Sequence, residues 1–360
     1  MRLCKAYLLL VDPISIVAID GPKRFPGVHW IWRGAILVVY EVHPQIVVKV
    51  PIPEERESFA NEIKIYEVFS TCPPCPSTVQ CFYYTENGIF LEYMRDLTLS
   101  VRIQHNQVRD ESTEVVTKIE KLEPIALRKR WMNDLAQAVA FLESLNLAHG
   151  DLRPENVLLD GTHFEGCGAP YRRFMNGTEP GEEANDRSAG NLSPRTEQFA
   201  LGSLYYFINY SFEVYGDRCL DPDNPREHGF KMIGLLQNLI FPELNGDPLI
   251  DDIIHKCWHN KYRKVTDLAE YTEALLVKEP SAAEDTEAGS SEDATWKKVL
   301  CQDLEYRGLL EFLCSDEPVK LGFPLGKELA SHQQADDSQA YPSHPINVRL
   351  GATLKLALND

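Results

Sequence analysis

Two apolar runs rich in β-branched residues open the patterned part of the chain. Residues 34–42 and 46–50 are separated by His43-Pro44-Gln45, a turn, and Pro51 and Pro53 stop the second run. Over residues 54–69 the period changes. Phe59, Ile63 and Tyr66 recur at helical spacing, with Ile65 and Phe69 on the flank. Beyond a proline-rich loop, residues 79–84 and 88–93 read as two more strands. The order β-β-α-β-β predicts an α+β unit with an antiparallel sheet.

From Pro124 the pattern turns helical. Trp131, Leu135, Ala138, Leu142 and Leu145 lie on one face over about four turns. A polar stretch, 149–156, leads into the short apolar run 157–159. Residues 161–194 are polar and glycine-rich with little periodicity. Helical patterns resume at 196–212, 230–240, 249–258, 265–276 and 296–313, and the tail from Gly322 is irregular. These shifts divide the chain into an unassigned segment 1–33, a β-rich part 34–94, a helical part 95–278, an acidic linker 279–295, and a C-terminal helix with its tail, 296–360.

The 360 residues are 44% hydrophobic and 25% charged, enough for a large core. The net charge of −18 disfavours contact with nucleic acid or anionic membranes. No run is long and apolar enough to span a bilayer. Nine cysteines with no framework spacing fit a reducing, intracellular and cytoplasmic setting. Cys72-Pro-Pro-Cys75, with Cys81 nearby, lacks the second ligand pair that a zinc site needs, so it reads as a proline-rich loop.

The sharpest chemistry lies in His149-Gly-Asp151-Leu-Arg153-Pro-Glu-Asn156-Val-Leu-Leu159, between a long amphipathic helix and a short strand. An Asp placed to accept a hydroxyl proton orients a nucleophile. An Asn five residues on reaches a metal held by nucleotide phosphates, and a nearby cation offsets charge on the transferred group. This segment resembles the catalytic loop of protein kinases. The resemblance extends over residues 34–275 and implies a two-lobed α+β kinase-like fold, with a small antiparallel β lobe and a larger helical lobe. It implies Asp151, Arg153 and Asn156 as catalytic residues, with Asn156 also a metal ligand. Lys49, in the middle of a buried strand, would contact ATP phosphates and pair with Glu62, Glu67 being the fallback. Leu91 would guard the adenine pocket, and the backbones of Glu92 and Met94 would bond adenine. Glu197 resembles the acid that braces the catalytic loop. Cys257-Trp258, followed by Arg263, resembles the pattern that ends in a structural arginine.

Three departures stand against this pattern. No G-x-G-x-x-G precedes Lys49; the glycines nearest it upstream are Gly27 and Gly34, beside Trp30 and Trp32. No D-F-G follows Asn156: the strand that should carry the magnesium-binding Asp is missing, and Glu165 and Asp186 are the carboxylates at hand. Ser193-Pro-Arg195 stands where A-P-E is usual. Ser188, Ser193 and Thr196 are candidate phosphorylation sites. Two accounts fit the missing strand, a genuine loss or a mis-joined reading of the gene. The expected activity is transfer of phosphate from ATP, with Mg2+, to a protein Ser or Thr hydroxyl. The alternatives are a pseudokinase scaffold with protein partners, and a small-molecule phosphotransferase of the aminoglycoside or choline type.

Overall fold

The computed structural model describes residues 25, 27–34, 36–94, 98–158, 170–173, 193–276, 291–315 and 349–350. It is an α+β structure with a five-stranded antiparallel sheet and, among the described residues, nine α-helices. The sheet contains β1 (His29–Arg33), β2 (Leu37–His43), β3 (Ile46–Pro51), β4 (Cys81–Thr85) and β5 (Gly88–Glu92), in the order β1-β2-β3-β5-β4. Helix α1 (Arg56–Ser70) crosses over between β3 and β4. β1 falls in the segment that the sequence left unassigned. Its residues are all half-buried, so it carries no alternation that marks a strand.

Every residue of β3 is buried because both faces of the sheet are covered. On one face, Val47 of β3 joins Val39, Phe59, Tyr66, Ile89 and Leu91 beneath α1. On the other, Ile46, Val48 and Val50 meet Cys301, Leu304, Leu310, Phe312 and Leu313. These come from α8 (Ser291–Tyr306) and α9 (Leu309–Leu313). The C-terminal helical segment is therefore the outer cover of the sheet. α8 begins within the acidic stretch: Asp293 takes a 2.6 Å bond from Lys297 one turn on, which steadies the first turn.

The helical part surrounds α3 (Ile125–Ser144) and α4 (Pro194–Tyr210). α4 is buried from Arg195 to Asn209, all round rather than on one stripe. Its start is set by Ser193, whose Oγ accepts from the Thr196 amide while Thr196 Oγ1 accepts from the Ser193 amide, with Pro194 in the first turn. Both candidate phosphoacceptors are thus buried and engaged in a cap, 3% and 6% exposed; Ser188 lies outside the described residues. Helices α5 (His228–Gln237), α6 (Pro248–Trp258) and α7 (Val265–Glu273) pack around this pair. Two elements had no periodic signal to announce them. One is the short α2 (Leu99–Gln104), capped by Thr98; the other is the hairpin β6 (Gln107–Arg109) with β7 (Val116–Ile119). Strand β8 (Val157–Leu158) pairs antiparallel with β9 (Arg349–Leu350) from the far end of the chain. No helix among the described residues is long and apolar enough to cross a membrane.

Helix α1 ties the sheet to the helical part. Ile65 packs with Leu142 and Leu147, and the Phe69 and Phe141 rings lie 5.4 Å apart. Close approach also governs α4 and α6. A Cβ at Gly202 would meet Trp258 Cδ1 at 2.8 Å and Cys257 Cβ at 2.9 Å. Neither neighbour is a free side-chain end, since Cys257 and Trp258 are fully buried. Gly202→Ala is expected to push the two helices apart and to destabilise the protein by about 1–3 kcal/mol in urea unfolding. An unchanged midpoint would show that the helices yield freely.

Candidate functional site

Lys49 lies in β3 between Val48 and Val50 and faces α1, on the same side as Val47. An ammonium group this deep, 2% exposed, needs an opposite charge. Glu62, one face of α1, supplies it: Nζ donates to Glu62 Oε1 at 2.8 Å, and Glu62 is 5% exposed. Glu67, the fallback partner, is exposed on α1. Leu91 is buried at the end of β5, and Met94 follows it with its side chain buried. The Glu92 amide donates to the Gln80 carbonyl at 2.9 Å, closing β5 against β4.

Residues 147–151 follow α3 and lead into the turn that carries Asp151. Asn146 takes a positive φ of 55° and Gly150 one of 72°, the left-handed turn for which glycine carries no steric penalty. His149 is fully buried, and its Nδ1 accepts from the Asp151 amide at 3.2 Å, which places the ring proton on Nε2. Glu197, in the first turn of α4, accepts from the amides of His149 (2.9 Å) and Gly150 (3.1 Å). The sequence expectation for Glu197 as a brace describes this contact. Loss of water around the carboxyl raises it to about 7, with the two amide bonds opposing the shift.

Asp151, Arg153 and Asn156 converge in the turn that follows. The Asn156 amide donates at 2.8 Å both to the Asp151 carbonyl and to Asp151 Oδ2. Both amide hydrogens are thereby committed, so the side-chain carbonyl oxygen is the atom left to ligate. Asp151 Oδ1 is buried, has no hydrogen bond among the described residues, and lies 3.5 Å from Arg153 Nε. Arg153 also reaches Glu155, its Nη1 3.7 Å from Oε2, and Glu155 Oε1 takes the Ser100 hydroxyl at 3.0 Å from α2.

Two members of this surround escaped sequence reasoning. Ser100 sits in a helix too short to show a period. Glu213 lies beyond α4 with no motif near it. Its carboxyl accepts from the Tyr171 hydroxyl at 3.4 Å, and desolvation, with the Glu155 charge next, raises it to about 7. Arg263 is exposed. Glu165, Asp186 and the stretch where D-F-G is expected lie outside the described residues. Among the described residues no three His, Cys, Asp or Glu side chains gather to hold a metal, the Cys72, Cys75 and Cys81 set included. No protein-family model matches the chain, and no curated protein matches it.

The folded protein holds the Glu197 proton more tightly than the unfolded chain does. That contribution is complete below pH 4.5 and is lost as pH rises through about 7. The stability of the protein relative to Glu197→Gln should therefore fall between pH 4.5 and 7 and level off above. A difference that is flat or rises over this window, in urea unfolding at a series of pH values, would contradict the buried carboxyl.

Proposed function

We propose that the chain is a two-lobed, protein kinase-like phosphotransferase that passes phosphate from ATP to a protein Ser or Thr hydroxyl. The observation that carries this is the convergence of Asp151, Arg153 and Asn156 in one turn, with Asn156 donating to Asp151 Oδ2 at 2.8 Å and Arg153 Nε 3.5 Å from Oδ1. In this reading the small lobe is the sheet with α1, and the large lobe is the helical part around α4. Lys49, held by Glu62, binds the α- and β-phosphates of ATP, and the backbones of Glu92 and Met94 meet adenine. Asp151 orients the substrate hydroxyl and takes its proton, which contributes about 10²–10⁴-fold to rate. Arg153 lies beside that carboxylate and offsets negative charge on the phosphoryl group.

Magnesium fits the described residues less well than ATP does. Its donor set there is the Asn156 carbonyl oxygen, one neutral ligand where hard cations take carboxylates. No step is therefore assigned to the metal. The protein partner is the substrate, and the acidic surface supports neither nucleic-acid nor membrane contact.

A second reading, a nucleotide-binding pseudokinase that works as an interaction module, is favoured by β8. Its antiparallel partner is Arg349–Leu350. The sequence around that strand carries no carboxylate from Pro345 to Asn359. The strand beside the candidate catalytic turn thus brings no acid to a metal. The small-molecule phosphotransferase remains the third alternative.

Titration with ATP and Mg2+, followed by phosphate transfer to a mixed Ser/Thr peptide substrate, separates these readings. Lys49→Arg keeps a cation for Glu62 and should weaken ATP binding at least about tenfold. Asp151→Asn should bind ATP as the natural chain does and lose at least about 10²-fold in transfer. ATP binding without transfer would favour the pseudokinase; no ATP binding would end the proposal.

A further inference from the structure

We infer that His255 and His259, at the C-terminal end of α6, chelate a divalent transition-metal ion of the zinc and nickel class. The two are four residues apart, so they project from one side of the helix, a turn from each other. Their rings stack with centroids 4.1 Å apart and planes inclined at 28°. Two nitrogens on one tetrahedral ion, each at about 2.0–2.1 Å from it, lie about 3.4 Å apart. The stacked rings are a small rotation from that spacing. His255 is exposed and His259 half-buried, so an ion reaches both from solvent.

The two imidazoles have unlike roles. His259 Nδ1 lies 2.8 Å from the His255 carbonyl oxygen. A carbonyl oxygen only accepts, so Nδ1 carries a proton, and in the neutral ring the lone pair is on Nε2. Metal-binding histidines commonly engage their second nitrogen in this way. The Phe241 ring packs edge-on against His259, centroids 5.3 Å apart, and itself stacks on the buried Trp258 at 4.5 Å. His259 is thus the fixed ligand. The His255 ring makes no hydrogen bond among the described residues, so it turns toward an ion without breaking one.

The surrounding charge is compatible with a cation. Burial first, and then His259, hold the His255 pKa below its ordinary value, so its lone pair is open at pH 7. Asp252, one turn before His255, attracts a cation, while Lys256 and Lys261 oppose it. Lys256 is already engaged: its ammonium lies 2.6 Å from Asp252 Oδ2 and 5.0 Å over the Tyr271 ring. Neutral imidazoles suit zinc, copper and nickel, whereas Mg2+ takes oxygen ligands. No third His, Cys, Asp or Glu joins the pair among the described residues, so water fills the remaining positions. Structural zinc sites are closed by four protein ligands; this one is open and its ion exchangeable.

Ni2+ is the probe, because it favours imidazole and is paramagnetic. In NMR spectra of the full chain, freed of metal with EDTA, the ring signals of His255 and His259 should broaden together. They should do so at lower Ni2+ than the ring of the exposed His105. Zn2+ should displace the nickel and restore both signals, and Mg2+ at the same concentration should not. His255→Gln removes one ligand at an exposed position. It should raise the Ni2+ needed to broaden His259 at least about tenfold, because the second contact of a chelate is intramolecular. No readout involves ATP, so the result is independent of the proposed phosphotransfer. Broadening of His259 at unchanged Ni2+ in His255→Gln would mean two separate imidazoles and overturn the proposal. Broadening of His105 at the same Ni2+ as the pair, or signals that Zn2+ does not restore, would overturn it too.

Discussion

The buried ion pair between Lys49 and Glu62 sets conditions for much of the structure. Two charges out of water are tolerable only when they meet in good geometry. Here an ammonium on β3 and a carboxylate on α1 meet at 2.8 Å. The register of β3 and the rotation of α1 are therefore coupled: turning either moves a charge away from its partner. Removing one partner of such a pair costs about 3–5 kcal/mol because the other stays buried. α1 in turn packs through Ile65 and Phe69 on the end of α3, which leads straight into His149. A chain of packed contacts thus connects the lysine to the turn that carries Asp151.

That turn is held from the opposite side by α4. A helix buried on every face is an unusual place for a charged residue, yet Glu197 stands in its first turn. The amides of His149 and Gly150, in a turn that bonds neither to a helix nor to a strand, explain it: they need acceptors, and Glu197 gives one to each. The Ser193–Thr196 capping box fixes where the helix starts and so where Glu197 points. Asp151 is then oriented by Asn156 through one oxygen, and its other oxygen lies 3.5 Å from Arg153 Nε. The C-terminal helices serve the same end at a distance, because without α8 and α9 the outer face of the sheet would expose Ile46, Val48 and Val50 to water.

Much of this was legible in the sequence because it rests on local patterns. The strands at 37–51 and α3 follow from β-branched runs and a helical stripe; a buried lysine's need for a partner follows from its place in a strand, while Glu62 as that partner comes from the resemblance of residues 61–66 to a kinase helix. What stayed hidden depends on contacts distant in the chain. β1 is half-buried throughout and shows no period. The role of α8 and α9 as the sheet's cover comes from tertiary packing, which no periodicity reveals. The pairing of β8 with Arg349–Leu350 joins segments far apart, so no local signal marks it. Ser100 and Glu213 reach the Asp151 surround through folding alone.

The central claim is that Lys49 and the Asp151–Asn156 turn serve one nucleotide. Paramagnetic broadening by ATP with Mn2+ in place of Mg2+, read in NMR spectra of the full chain, tests it directly. The account predicts that the Asn156 side-chain amide and the Lys49 side chain both broaden, at the same Mn2+-ATP concentration. Broadening of one without the other, or of neither, would contradict it.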